Sequence, residues 1–374
     1  MIQAATLMIN FALGMVLAVI GALKLETAKV LGIDDARAGG LVSALMLSSF
    51  VMIVVLGPMV DTFGHKPIAV CGFIISSFAI LFLVSAATYR TAVAACALLG
   101  VGAMCLNSVG NTLMPLVLFA GKNPTAAMNL GTAFFVMGAS SAPFIIGLLL
   151  SKSGYRRTGM LIAALLFLPV VFAAMAPYPR MQSEFTFYQV FSLLRSGVVI
   201  SVGSMLFCYL GVEMSMGLWI TSYLKESRYS EKRASMILST FWISLVVLRL
   251  AVTTFITPET GLVVVQFFGL LAAIGIGGMI CGRTKFIAAA SVVCTGLALG
   301  PIFPTTVSIA FARIPASFHG SAFSIAFALA LLGGSSIPAV IGLVSRKMSI
   351  RRAFVVPLGS VLTLCLIVLV MLRS

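Results

Sequence analysis

Apolar runs of about 20 residues recur from one end of the chain to the other, parted by short polar interruptions. That is the length a helix needs to cross a bilayer. Twelve such runs, centred near residues 12, 48, 76, 105, 139, 168, 208, 245, 271, 298, 333 and 363, predict twelve transmembrane helices. They use most of the 374 residues, so no soluble domain is expected. The first run begins at Met1 and reads on into "KLETAKVLGIDD". With no basic leader and no small-residue cleavage site, it predicts a retained helix rather than a signal peptide.

The longest polar interval, residues 177–196, follows the sixth run and divides the chain into halves of six. The halves also look alike. "SGYRRTGMLIAALL" follows the fifth run and "MSIRRAFVVPLGSVL" the eleventh, while "FVMIVVLGPMVDTFG" ends the second and "FWISLVVLRLAVTTF" the eighth. Parallel six-helix repeats of this kind build transporters whose solute site lies at the midplane between the halves. The expected fold class is an all-α membrane protein of two pseudo-symmetric bundles, residues 1–176 and 197–374, joined by a cytoplasmic linker at 177–196.

Composition fits this pattern: 61% of residues are hydrophobic and 9% charged, where a soluble globule carries roughly 25% charged residues. All seven cysteines fall inside apolar runs without metal spacing, so they read as small core residues and no disulfide or metal site is expected. There is no phosphate-binding Gly-x-x-x-x-Gly-Lys loop, which excludes ATP-driven transport by this chain alone. No Ser/His/Asp or paired-acid constellation suggests an enzyme. No cofactor and no nucleic-acid partner are expected; the partners implied are a small solute, membrane lipid and a co-transported Na⁺ or proton.

"GPMVDTFGHKP" follows the second run and resembles the loop signature of the major facilitator superfamily, Gly-x-x-x-Asp-x-x-Gly followed by two basic residues. Gly57, Asp61, Gly64 and Lys66 fill the pattern, with His65 where a first Arg is usual. The resemblance implies a cytoplasmic latch that stabilises one access state. Further segments resemble one branch of that superfamily, the fucose–proton symporter family. They are "FCYLGVEMSMGLW", "MNLGTAFFVMGASSAP", "GPIFPTTVSIAFARI", "GSAFSIAFALALLGGSSIPAVIG" and "FWISLVVLRL", the last placing Arg249 where that family has Gly-Arg. The departures matter as much. Ala22 or a near neighbour stands where proton-linked members carry an Asp, and Asn107 stands where they carry a Glu. Asn111 is retained, while Thr132 and Phe135 replace a sugar-contacting Gln and a nearby Asn. The resemblance therefore implies the fold more strongly than sugar–proton symport.

Of nine acidic residues only Glu213 lies well inside an apolar run. A charge at the bilayer centre costs at least about 2.5–3.5 kcal/mol, so such a residue faces the bundle, is paired, or is protonated. Two readings stand: Glu213 is the coupling or substrate-binding carboxyl, or it bonds a neighbouring helix and holds the fold. Gly110 and Pro115 in the fourth run, and Gly300, Pro301 and Pro304 in the tenth, predict backbone breaks lining a cavity. Asn107, Asn111, Thr132, Thr305, Trp219 and Trp242 are the candidate substrate contacts with Glu213; a Trp serves equally as an interface anchor. Arg249 reads as a structural clamp on a carboxylate or helix C-terminus, ahead of a substrate contact. His65 and His319 are expected in loops, with no catalytic role.

The motif assigns orientation, with both termini cytoplasmic in a cell (inner) membrane. Loops at 24–37, 85–90, 152–157, 225–233, 282–285 and 346–352 then face out and hold 17 of the 24 basic residues, the reverse of the usual bias. Such a face suggests an anionic solute or docking on anionic polymers or lipids, or else unusual topology signals. The function expected is a secondary active or facilitative transporter of a sugar or sugar-like solute. A lipid or drug exporter of the same fold, and a non-transporting solute sensor, are the alternatives.

Overall fold

The computed structural model describes residues 1–179, 192–252, 255–257 and 259–373, apart from the side chains of Asp35 and Ala36. Most of the predicted 177–196 linker lies outside the described residues. Fourteen α-helices are seen among the described residues: α1 Ile2–Leu31, α2 Asp35–Phe63, α3 His65–Val84, α4 Tyr89–Val117, α5 Pro124–Phe167, α6 Pro169–Met175 and α7 Gly197–Glu226. They continue with α8 Glu231–Ala251, α9 Gly261–Cys281, α10 Lys285–Leu299, α11 Ile302–Arg313, α12 His319–Ser345, α13 Ile350–Ala353 and α14 Val355–Arg373.

Helix ends follow local chemistry. Asp34 caps α2 by accepting from Arg37 N at 2.8 Å, Thr88 and Thr91 form a reciprocal capping box at α4, and Thr284 caps α10. Among the described residues, eleven segments are long and apolar enough to cross a membrane. One of them, Pro124–Met175, has 52 residues, far more than one crossing takes, and it holds both the fifth and sixth predicted runs. Its backbone leaves helical geometry at Gly154 (φ 71, ψ 174), which parts the two arms.

The tenth predicted run divides at Gly300 and Pro301 into α10 and α11, as its sequence anticipates. The fourth does not. α4 runs unbroken through Gly110, because that glycine serves packing rather than a break: a Cβ there would lie 2.8 Å from Asn10 Oδ1. The turn comes instead at Phe119 and Ala120, both left-handed (φ 51 and 55).

The contacts group the chain into two compact units. The first holds Met1–Gly121, the chain from Gly131 through α6, and Pro315–Ser324. The second holds Lys122–Leu130, α7 to Ile314, and the chain from Ile325 through α14. In the first, α1, α2 and α3 all pack on α4; in the second, α8 and α9 pack on α10, and α14 packs on α7 and α9.

Each unit is built on the same close helix crossings. A Cβ on Gly100 of α4 would lie 2.5 Å from Leu45 O and 2.1 Å from Ser48 Oγ of α2. A Cβ on Gly296 of α10 would lie 2.6 Å from Phe241 O and 2.3 Å from Ser244 Oγ of α8. Positions 45, 48 and 100 thus recur at 241, 244 and 296, a constant shift of 196. Likewise Gly138 of α5 sits on Phe11 O, and Gly333 of α12 on Phe207 O, at 1.9 and 2.0 Å from a would-be Cβ. Only glycine permits backbones to approach this closely.

Candidate functional site

In the first unit, the polar motif at the end of α2 is a preformed cap for another helix. Gly57 and Asp61 are four residues apart and so share one face of α2. Asp61 is buried, and its carboxylate accepts from Gly320 N (2.8 Å), Ser321 N (2.7 Å) and Ser321 Oγ (2.6 Å) in the first turn of α12. The first N–H groups of a helix lack intrahelical acceptors and carry the positive end of its dipole, so a carboxylate there is doubly favoured. The glycines make the approach possible from both sides. A Cβ on Gly57 would meet Gly320 O at 2.5 Å, and one on Gly320 would meet Gly57 O at 2.5 Å.

Gly64 turns the chain between α2 and α3 at φ 79, ψ 174, a region open only to glycine. Lys66 follows it and is exposed. The histidines differ from expectation. His65 and His319 are the first residues of α3 and α12, and both are buried. His65 Nε2 pairs with Thr112 Oγ1 of α4 at 3.1 Å. A polar residue beside a turn reads as exposed in sequence; here tertiary packing covers it.

Immediately before Thr112 on α4, Asn111 donates to both Asn107 O (2.9 Å) and Asn107 Oδ1 (2.8 Å). Both amides are buried, and Asn111 Oδ1 has no hydrogen-bond partner. Thr132 of α5 is also buried.

In the second unit, Arg249 of α8 donates from Nε to Gly300 O at 2.8 Å, at the carboxyl end of α10 where the helix breaks. Its Nη2 donates to the Tyr209 hydroxyl at 3.4 Å. Glu213 follows one turn along α7, on the same helix face as Tyr209. A would-be Cβ on Gly300 lies 2.6 Å from Leu245 O, so glycine is needed for α8 to press on the break.

Trp242 of α8 lies over Gly217, whose missing Cβ would sit 3.1 Å from Trp242 Cζ2. Gly217 is one turn from Glu213 on the same side of α7, so Trp242 and the carboxyl share that face. Trp219 turns elsewhere: its Nε1 donates to Pro338 O of α12 at 3.2 Å, and its ring covers Gly342. Thr305 of α11 is fully buried, and neither its hydroxyl nor that of Thr306 has a hydrogen-bond partner.

The helical chain as a whole has its counterpart in known proteins. The model of the Major Facilitator Superfamily matches residues 4–338. The chain belongs to the major facilitator superfamily. It is therefore a multi-pass membrane transport protein and not an enzyme. Within the superfamily, it is 26% identical over 343 residues to a glucose/galactose transporter of Brucella abortus, covering 83% of this chain and 79% of the relative. It is 29% identical over 173 residues to the yeast protein Bypass of stop codon protein 6, a match that spans 35% of that protein. Among solved structures, FucP, the fucose:proton symporter of E. coli, superposes with a TM-score of 0.85 at 17% identity, covering 100% of this chain and 98% of FucP.

Sequence reasoning missed the partners more than the residues. Tyr209 lies four positions before Glu213, a spacing that marks a shared helix face. Gly320 and Ser321, by contrast, stand some 260 residues from Asp61, and no local pattern joins them.

Proposed function

We propose that this protein is a secondary transporter of a sugar or sugar-like solute that works by alternating access, with Glu213 as its coupling carboxyl. The observation that carries the coupling role is the hydrogen-bonded chain Tyr209–Arg249–Gly300, which places a helix break one turn of α7 from the membrane carboxyl Glu213. Binding a proton or Na⁺ at Glu213 changes what Tyr209 donates to. That in turn frees or holds Arg249 at Gly300, so the charge state of one side chain sets the geometry of α10 and α11. The sugar class is supported by the Brucella glucose/galactose transporter. Within the first unit Asn107, Asn111 and Thr132 offer amides and a hydroxyl to such a solute, and within the second Trp242 and Thr305 offer a flat ring and a hydroxyl. In the first unit the unpartnered Asn111 Oδ1 is suited to accept from a solute hydroxyl, and in the second the unpartnered Thr305 Oγ1 is suited to donate to one.

In this reading residues 1–176 and 197–374 are the two moving halves, the 177–196 segment is cytoplasmic, and both termini face the cytoplasm across the cell membrane. Asp61 on the first turn of α12 is the latch of one access state. Uptake into proteoliposomes tests it, across a panel of neutral and acidic sugars with imposed Na⁺ or proton gradients. Gradient-driven accumulation of one sugar by the native protein, reduced to simple equilibration in Glu213→Gln, is the expected result. Undiminished accumulation by Glu213→Gln removes Glu213 from coupling; transport of none of the sugars removes the sugar class.

A further inference from the structure

At the end of the second unit where α7 meets α8, three turns are bound into one surface by a single arginine. Arg351 of α13 donates from Nη1 to Gly282 O, between α9 and α10, at 2.6 Å, and from Nη2 to Ser227 Oγ, between α7 and α8, at 3.2 Å. Its backbone N donates to Glu226 Oε2 at 3.4 Å, and its guanidinium lies over the Tyr223 ring. Two tyrosines of the same end add to the binding: Tyr223 donates to Met279 O and Tyr229 to Lys285 O, both at 2.9 Å. The turns therefore do not move independently.

The staple also fixes where charge is left over. Ten basic residues in these turns face only two acids, Glu226, which accepts from Arg351 N, and Glu231, which pairs with Lys225 at 3.1 Å. Lys232, Arg233, Arg283, Arg346, Lys347 and Arg352 are exposed, and none has an ion-pair partner among the described residues. Apolar side chains stand exposed among them. Phe286, next to Lys285, is 80% exposed, and Met348, next to Lys347, is 43% exposed. All of this lies at the ends of helices that cross the bilayer.

We propose that this surface is a preformed binding site for the headgroups of anionic phospholipids. Cations next to exposed apolar side chains at helix ends match the lipid interface. There the cations meet phosphate, and the apolar groups meet the upper acyl chains. A dissolved anion would use the charges but leave Phe286 and Met348 in water; a lipid uses both. Rigid turns hold the cations in place before the lipid arrives, which lowers the ordering cost of binding. Membrane lipids of the facing leaflet thus become partners that hold the end of this bundle.

The test uses the full chain, purified in neutral detergent, with phosphatidylglycerol and phosphatidylcholine as probes and native mass spectrometry as the readout. Phosphatidylglycerol should be retained preferentially. Replacing Arg283, Arg346, Lys347 and Arg352 together by Gln should remove the preference, at about five-fold per charge lost. The matching set Arg283→Lys, Arg346→Lys, Lys347→Arg and Arg352→Lys keeps the charges and should keep the preference, which separates lost binding from lost folding. Equal retention of the two lipids by the native chain overturns the proposal, as does a preference untouched by the Gln set. Competition by glycerol 3-phosphate as strong as that by phosphatidylglycerol would also overturn it, by making the surface a site for dissolved anions.

Discussion

Arg249 holds the carbonyl of Gly300 at 2.8 Å, on the last residue before the chain breaks between α10 and α11. The bond is buried, charged at the donor and directed at a helix carboxyl end, where carbonyls lack intrahelical partners. Arg249→Ala would leave that carbonyl and the Tyr209 hydroxyl without their donor. It should cost about 2–3 kcal/mol, the worth of a hydrogen bond to a charged group. Arg249→Lys should lose most of the same amount, since one ammonium on a shorter stem cannot copy the guanidinium fork. Unfolding in mixed micelles, followed by circular dichroism, measures both.

Tyr209→Phe separates linkage from scaffold. It keeps Arg249 on Gly300 and the ring contact with Phe303 but removes the hydroxyl that accepts from Arg249 one turn of α7 away from Glu213. Stability should fall by about 1 kcal/mol, while gradient-driven accumulation should drop tenfold or more and exchange across equilibrated membranes should persist. Accumulation equal to the native protein's would show that the hydroxyl carries no linkage.

At the α2–α12 junction the expected effects are steric. Gly57→Ala places a methyl 2.5 Å from Gly320 O, whereas Gly39→Ala on the same helix meets nothing within 4 Å. The first should destabilise by about 1–3 kcal/mol through overpacking, and the second should be neutral or slightly stabilising, as Gly to Ala is in a helix interior. Asp61→Asn keeps the shape but loses one acceptor oxygen and the charge. It should expose a cysteine placed at Ser321 to thiol reagents at a higher rate than in the native background.

The duplicated crossings make a paired prediction. Gly138→Val and Gly333→Val should each abolish the folded protein, because backbone carbonyls of Phe11 and Phe207 occupy the space a side chain would need. Gly359→Val, at a position with nothing within 4 Å, should be tolerated. Gel filtration of membrane extracts distinguishes the outcomes.

How far the sequence discloses all this depends on the range of each interaction. The crossings were legible because 20 apolar residues in a row carry their own explanation. The joined run at Pro124–Met175 also resolves into two because no single crossing needs 52 residues. The break at Gly300–Pro301 was legible from the missing donor of a proline. Gly110 was misread as a break, since a glycine that accommodates Asn10 looks the same in sequence as one that bends a helix. Asp61 stood out by its motif, yet what it caps lies on a helix far along the chain. The buried histidines gave no signal, because burial at a helix start is decided by neighbours that sequence does not name.

The constant shift between the units also says what each half does not share. Carried back by 196 positions, Tyr209, Glu213 and Arg249 fall on Leu13, Leu17 and Ile53, and Asp61 carried forward falls on Thr257. The glycines that fix the frame recur in both units; the charged residues do not. The two halves thus share the scaffold and differ in both devices. Direction, in such a protein, begins where the copies stopped matching.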